Sequence, residues 1–200
     1  MNESKSSVQE RLLAAAAELF LEKDYQSTSL REIARRADTT SAMIAYYFKS
    51  KHGLFEEMVK NEYQKFFGRM MQEFQQQPPV QQNVNIIKKL QTIHKEMPFM
   101  APFLVKIMTT KGGPGSAFIK SQFAMEQKAF EVGNEFLKKQ NMINPETNVE
   151  VLRITMMCVT LLPALFNEHF QELYGDHYEA FQNSFAEIVG GMINQYTLPE

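Results

Sequence analysis

Apolar positions along this chain recur three and four residues apart and almost nowhere in alternation, which is the periodicity of helices packed on one face. The first helix is announced by Ser7 with Glu10 three residues on, a capping-box pattern, and Leu12, Ala16, Leu19 and Phe20 then form one stripe that fades near Asp24. Ser29 with Glu32 opens a short second helix bearing Leu30, Ile33, Ala34 and Ala37, which stops near Asp38 and Thr39. Thr40 caps a third, carrying Met43, Ile44 and Tyr47 and ending at Phe48 to Ser50. Ser50 then caps a much longer helix whose stripe is Leu54, Phe55, Met58, Phe66, Met70 and Phe74, closed by Gln75 to Pro79. Beyond that break the spacing predicts helices over about 80–95, from near Pro98, over about 115–140, from beyond Pro145 through Leu173, and over about 177–196. Lys111–Gly115, Asn141–Pro145 and Gly175–Asp176 are the intervening breaks. The reading is all-α, about nine helices, with no Asn-Gly or Asp-Gly hairpin turn and no internal repeat.

Composition narrows this picture. Two hundred residues, 44% hydrophobic and 22% charged, are enough for a folded domain or a small one joined to a larger one, and exclude disorder along the whole length. The single cysteine, Cys158, rules out an internal disulfide framework and a cysteine-based zinc cluster, and it suits a reducing compartment. No N-terminal stretch combines a basic region, an apolar run and a cleavage site, so a cytoplasmic protein is expected. The most apolar stretch, Ile154 to Phe166, is interrupted by Pro163 and falls short of the roughly 20 residues a membrane span needs, so it is expected as a buried helix, with Cys158 inert within it and no membrane partner.

The two short helices over Ser29–Ala37 and Thr40–Tyr47, joined by a tight turn, have the spacing and apolar pattern of a helix-turn-helix. In that unit the first helix braces on the phosphate backbone and the second puts its N-terminal side chains into the major groove. Thr40 and Ser41 are short hydroxyls with the positive end of a helix dipole behind them, Ala42 leaves room for close approach, and Tyr46 and Tyr47 stand beside Lys49 and Lys51. The overall charge of -2 hides a local excess: between Arg31 and Lys51 five cations (Arg31, Arg35, Arg36, Lys49 and Lys51) face only Glu32 and Asp38. Binding through such a patch depends steeply on salt.

The stretch TSLREIARRADTTSAMIAYYFKSK, Thr28 to Lys51, resembles the signature of the TetR family of bacterial transcriptional regulators, most specifically in Tyr46-Tyr47-Phe48-Lys49-Ser50-Lys51, and Leu54 and Phe55 extend the match. The resemblance implies a DNA-binding domain over 1–51 and a helical effector-binding and dimerisation domain over 52–200. It also implies a homodimer on a near-palindromic double-stranded operator, a small-molecule effector, and dimer contacts through the last two helices. Carried over by position, Thr28 and Ser29 match phosphate contacts, Arg31 a base contact, Thr40, Ser41 and Met43 the groove-facing start of the recognition helix, Tyr46 and Tyr47 its aromatic contacts, and Lys51 a backbone-holding lysine. Three positions depart from the family pattern: Asp38 replaces a turn glycine, Ala45 a common tyrosine, and Met43 a frequent threonine. Asp tolerates left-handed angles, and Met43 admits a contact with a thymine methyl.

Sixteen Phe and 13 Met suit a core and also a pliable pocket. Candidate effector residues are His94, Phe99, Met100, Phe103, Ile107, Phe118 and Phe123, with a hydrophobic effector in view and His94 as the polar group. Candidate dimer residues are Leu152, Met156 and Val159 on one helix and Phe181, Phe185, Ile188 and Met192 on the next, where Gly190 and Gly191 would admit a partner backbone. His169 and His177 with Glu168, Glu172 and Asp176 match no metal-ligand spacing, and no nucleophile-base arrangement emerges, so neither metal nor cofactor is implied. The reading is a repressor released from its operator by a small hydrophobic effector. The alternatives are the same DNA module answering to a protein partner, and an all-α enzyme with an accidental helix-turn-helix.

Overall fold

The computed structural model describes residues 7–23, 25–74, 83–110, 113–141 and 143–197, apart from the side chains at 74, 83, 137, 196 and 197. The described residues form ten α-helices and no strand: α1 (Val8–Glu22), α2 (Leu30–Arg36), α3 (Ser41–Phe48), α4 (Lys51–Phe74), α5 (Asn83–Glu96), α6 (Met100–Thr109), α7 (Ser116–Lys139), α8 (Val149–Leu165), α9 (Asn167–Tyr174) and α10 (Tyr178–Thr197). A 3-10 turn over Gly175–His177 joins the last two. The all-α expectation holds. The helix expected to run through Leu173 breaks instead at Phe166, and the segments on either side meet at 64°. Pro163 lies inside the last turn of α8, where it supplies no N–H and its ring crowds the preceding turn. The break expected at Gln75 to Pro79 lies outside the described residues. No single described helix is long and apolar enough to cross a membrane.

The chain divides into two compact units, one of residues 1–65 and 102–120 and the other of 66–101 and 121–200. In the first, Leu12, Ala16, Leu19 and Phe20 of α1 are buried with Ile33 and Ala34 of α2, Ile44 and Phe48 of α3, and Leu54 and Met58 of α4. Ser7 and Glu10 form the expected reciprocal cap of α1. At α2 only half of the second box is made: Ser29 accepts from the Glu32 amide at 3.2 Å, while the Glu32 carboxylate turns to the Lys23 ammonium at 2.5 Å. Asp38 has φ +49, as the missing turn glycine demanded, and Lys49 has φ +67 at the turn into α4. That second turn brings the Phe48 carbonyl so close to Gly53 that a Cβ there would lie 2.2 Å from its oxygen.

In the second unit α10 lies along α5. Ile87, Ala186 and Ile193 are buried, and Val84, Leu152, Met156, Phe185 and Val189 close over them. Gly190 allows this approach, because a Cβ there would meet the backbone nitrogen and Cα of Val84 at 2.5 and 2.6 Å. The glycine read as a partner's contact point is therefore a contact point for the chain's own α5, while Gly191 faces open space.

Candidate nucleic-acid interface

Ile44 and Phe48, one turn apart on α3, are 0% and 7% exposed and fix which way that helix faces. The opposite side then presents Tyr46, 75% exposed, and Tyr47, 38% exposed, with ring centroids 4.9 Å apart in an edge-to-face pair. Thr40 is exposed at the N-cap of α3 and makes no side-chain cap bond, so its hydroxyl is not committed to its own helix. Ser41 and Met43 are half-buried beside it, and Ser29 and Arg31 are exposed on α2. These residues are exposed or half-buried on two helices whose backs, Ile33 and Ala34 on α2 and Ile44 and Phe48 on α3, are packed.

Two expected contact residues also have partners within the chain. Thr28 is 1% exposed and its hydroxyl donates to the Leu19 carbonyl at 3.3 Å, so this side chain serves packing between α1 and α2 rather than an outer surface. Lys51 lies 4.6 Å above the Tyr25 ring and donates to the Gln26 carbonyl at 3.3 Å. The five cations also separate into classes. Arg36 binds Glu18 at 3.0 Å and Glu22 at 2.9 Å, and the bonds to Glu22 and then Glu18 hold its guanidinium above its ordinary pKa. Arg31 and Lys49 are exposed and form no ion pair among the described residues. The positive field of the face rests on fewer charges than the sequence count suggested.

The candidate effector residues fall in both units. Phe103 and Ile107 line a cleft of about 380 Å³ within the first unit, and Phe118 meets Tyr63 there with centroids 5.7 Å apart. In the second unit Met100 is fully buried, Phe99 and Phe123 are half-buried, and His94 is 8% exposed beside the Phe66 ring at 5.5 Å. Burial pushes the His94 imidazole down to about 4, so it is neutral near pH 7, and its Nδ1 has no hydrogen-bond partner. On the same two helices Arg69 of α4 reaches Glu96 of α5 at 2.7 Å and also pairs with Glu73.

The dimer candidates divide by face. Leu152, Met156 and Phe185, partly buried, pack against the unit's own core, and Phe181 stacks on Tyr174 with centroids 4.2 Å apart, so these four already have contacts within the chain. Val159 is half-buried. Ile188 and Met192 do face outward, at 64% and 57% exposed, together with Val151, Ile154 and Leu162 of α8. Cys158, expected as a buried thiol, is exposed on that outward stripe. The signal for this stripe was present in the spacing 151, 154, 158 and 162, but the parallel stripe at 152, 156 and 159 is as apolar, and helix periodicity cannot rank two apolar faces.

An all-α fold with an exposed polar face on the second of two short N-terminal helices defines a helix-turn-helix protein. Residues 12–58, about a quarter of the chain, match the family model described as "Bacterial regulatory proteins, tetR family". The chain is 43% identical over 60 residues to the probable HTH-type transcriptional regulator YttP of Bacillus subtilis (strain 168), a match covering 30% of this chain and 29% of the relative. It is 33% identical over 67 residues to the HTH-type transcriptional repressor KstR2 of Mycolicibacterium smegmatis, covering 34% of this chain and 33% of that one. The matches thus span about a third or less of the relatives' length. Among solved structures, FadR from Bacillus subtilis in complex with stearoyl-CoA superimposes with a TM-score of 0.69 at 15% identity over 90% of this chain and 96% of that one. Salmonella enterica GusR gives 0.66 at 14% identity over 93% and 97%. At such identities these likenesses show the fold.

Proposed function

We propose that the chain is a dimeric, sequence-specific DNA-binding transcriptional regulator, acting in the cytoplasm as a repressor that a small hydrophobic effector releases from a near-palindromic operator. The observation that carries this is the construction of α3: one face locked by Ile44 and Phe48, the other holding an uncommitted Thr40 hydroxyl and a three-quarters exposed Tyr46. Exposing so much aromatic surface is an unfavourable use of a tyrosine unless a partner covers it, and the free N-terminus of a helix suits phosphate. Arg31, Ser41 and Met43 are in place to address base edges, which alone carry sequence information. For the dimer, Val151, Ile154, Leu162, Ile188 and Met192 supply an apolar face on α8 and α10 that a second copy would cover isologously. A hydrophobic effector accords with the Phe and Met content, and the stearoyl-CoA complex of FadR is an instance of this fold with an acyl ligand.

The test is selection of the full chain on random duplexes. Enrichment of an inverted repeat with half-sites about 34 Å apart or a multiple supports the reading. Recovery of no common sequence at low salt refutes it.

A further inference from the structure

We propose that the unit carrying the helix-turn-helix holds a ligand site of its own, a cleft between the end of α1, the start of α4 and α6 that accepts a planar aromatic carboxylate with its anionic end on Lys106. The cleft has a volume of about 380 Å³, at the small end of the ~300–1,000 Å³ typical of ligand pockets. Four rings wall it. Phe20 and Phe55 meet edge to face at 4.8 Å, Tyr25 and Phe55 at 5.1 Å, and Phe103 stands 6.5 Å from Phe55. Flat apolar walls of this kind select a flat apolar body.

Lys106 is the charged side chain in the lining. Its ammonium donates to the Phe20 carbonyl at 3.3 Å and the Lys23 carbonyl at 2.6 Å, both at the C-terminal end of α1. Carbonyl dipoles compensate a full charge only in part, and no carboxylate pairs with Lys106 among the described residues. A carboxylate entering the cleft meets that charge and gains a charge-assisted bond that a neutral isostere does not. The opposite wall reaches the DNA module: Tyr25 and Gln26 line the cleft and are also the groups that hold Lys51. Occupancy therefore acts on the lysine read as a phosphate contact. That consequence rests on the regulator reading, whereas the ligand site does not.

The experiment is isothermal titration of the full chain with 2-naphthoate and with its uncharged isostere 2-naphthamide. The site requires saturable binding of 2-naphthoate at least about tenfold tighter than the amide. It also requires that Lys106→Met remove that preference while leaving the amide within about twofold, and that Lys106→Arg restore it. Lys120→Met, which removes an exposed lysine elsewhere on the unit, leaves both ligands unchanged. Absence of saturable binding, equal affinity for the two probes, or an equal loss in the Lys106 and Lys120 variants overturns the proposal. A chain that binds 2-naphthoate but selects no duplex sinks the regulator reading and leaves the ligand site standing, and the converse outcome separates them the other way.

Discussion

The two units are built from the same helical pattern, yet they differ in how their apolar residues are used. In the helix-turn-helix unit α2 has one apolar face, and that face is the buried one, with Ile33 inside and Arg31 outside, while α3, apolar nearly all round, buries Ile44 and Phe48 and leaves Tyr46 outside. On α8 and α10 two faces are apolar, and the inward one is chosen by the neighbour, α5, which closes on Leu152, Met156 and Phe185 and leaves Ile188 and Met192 uncovered. A helix with one stripe states its own orientation, whereas a helix with two leaves the decision to tertiary packing.

The sharpest way to break this comparison is to charge one stripe and then the other. Ile188→Glu puts two like charges on a symmetric contact if the outward face is the dimer face, and dissociation worth roughly 2–4 kcal/mol is expected. Sedimentation equilibrium should show monomers with a nearly unchanged circular dichroism spectrum. Leu152→Ala should do the reverse, costing about 2–5 kcal/mol of stability while the unfolding chain remains dimeric up to the transition. If Leu152→Ala dissociates a stable chain and Ile188→Glu does not, the stripes have been assigned the wrong way round.

His94 tests the interior of the second unit by pH. Its imidazole is buried and neutral, with a pKa of about 4 against an ordinary value of 6.5, so the unfolded chain binds the extra proton between those values. The stability this contributes is complete above about pH 6.5 and falls as the pH drops toward 4, by on the order of 3 kcal/mol in total. Chemical denaturation at pH 7 and pH 4.5 should show a loss that is smaller in His94→Leu. An identical loss in the variant would assign the acid sensitivity to other groups.

Most of the helices, both N-terminal caps and the exposed face of α3 were legible in the sequence, because each rests on residues within one or two turns: Ser7 with Glu10, Ser29 with the Glu32 amide, Asp38 at a positive φ. What was not legible depends on distant partners. Thr28 reads as a surface hydroxyl until Leu19, nine residues back, supplies its acceptor. Arg36 reads as part of a basic patch until α1 brings Glu18 and Glu22 to it. Pro163 was visible as an interruption, yet only the observed break at Phe166 shows which residue takes the bend.

The paired glycines give a smaller effect with opposite signs at adjacent positions. Gly190→Ala drives a Cβ into the Val84 backbone and should cost about 1–3 kcal/mol. Gly191→Ala meets nothing within 4 Å and should gain up to ~1 kcal/mol from helix propensity. Thermal unfolding reads both, and a fall in Tm for each variant would mean that Gly191 is covered, as a partner helix would cover it.

The smallest expected effect separates two cations that look alike in sequence. Arg36 is matched by two α1 carboxylates, so Arg36→Ala should lower stability slightly and leave the salt dependence of DNA binding unchanged. Lys51 lies over the Tyr25 ring and donates to the Gln26 carbonyl, two neutral groups, and stands at the position read as a phosphate contact. Lys51→Ala should therefore weaken binding to all sequences alike and reduce the slope of log affinity against log salt by about 1. Because the alanine also loses the contact with Tyr25, weaker binding alone does not distinguish phosphate neutralisation from loosening of the residues before α2. The slope does, since a purely structural loss lowers affinity at every salt concentration without changing the number of ions released. An unaltered slope in Lys51→Ala, with a reduced one in Arg36→Ala, would exchange their roles and place the phosphate backbone along the α1–α2 edge instead.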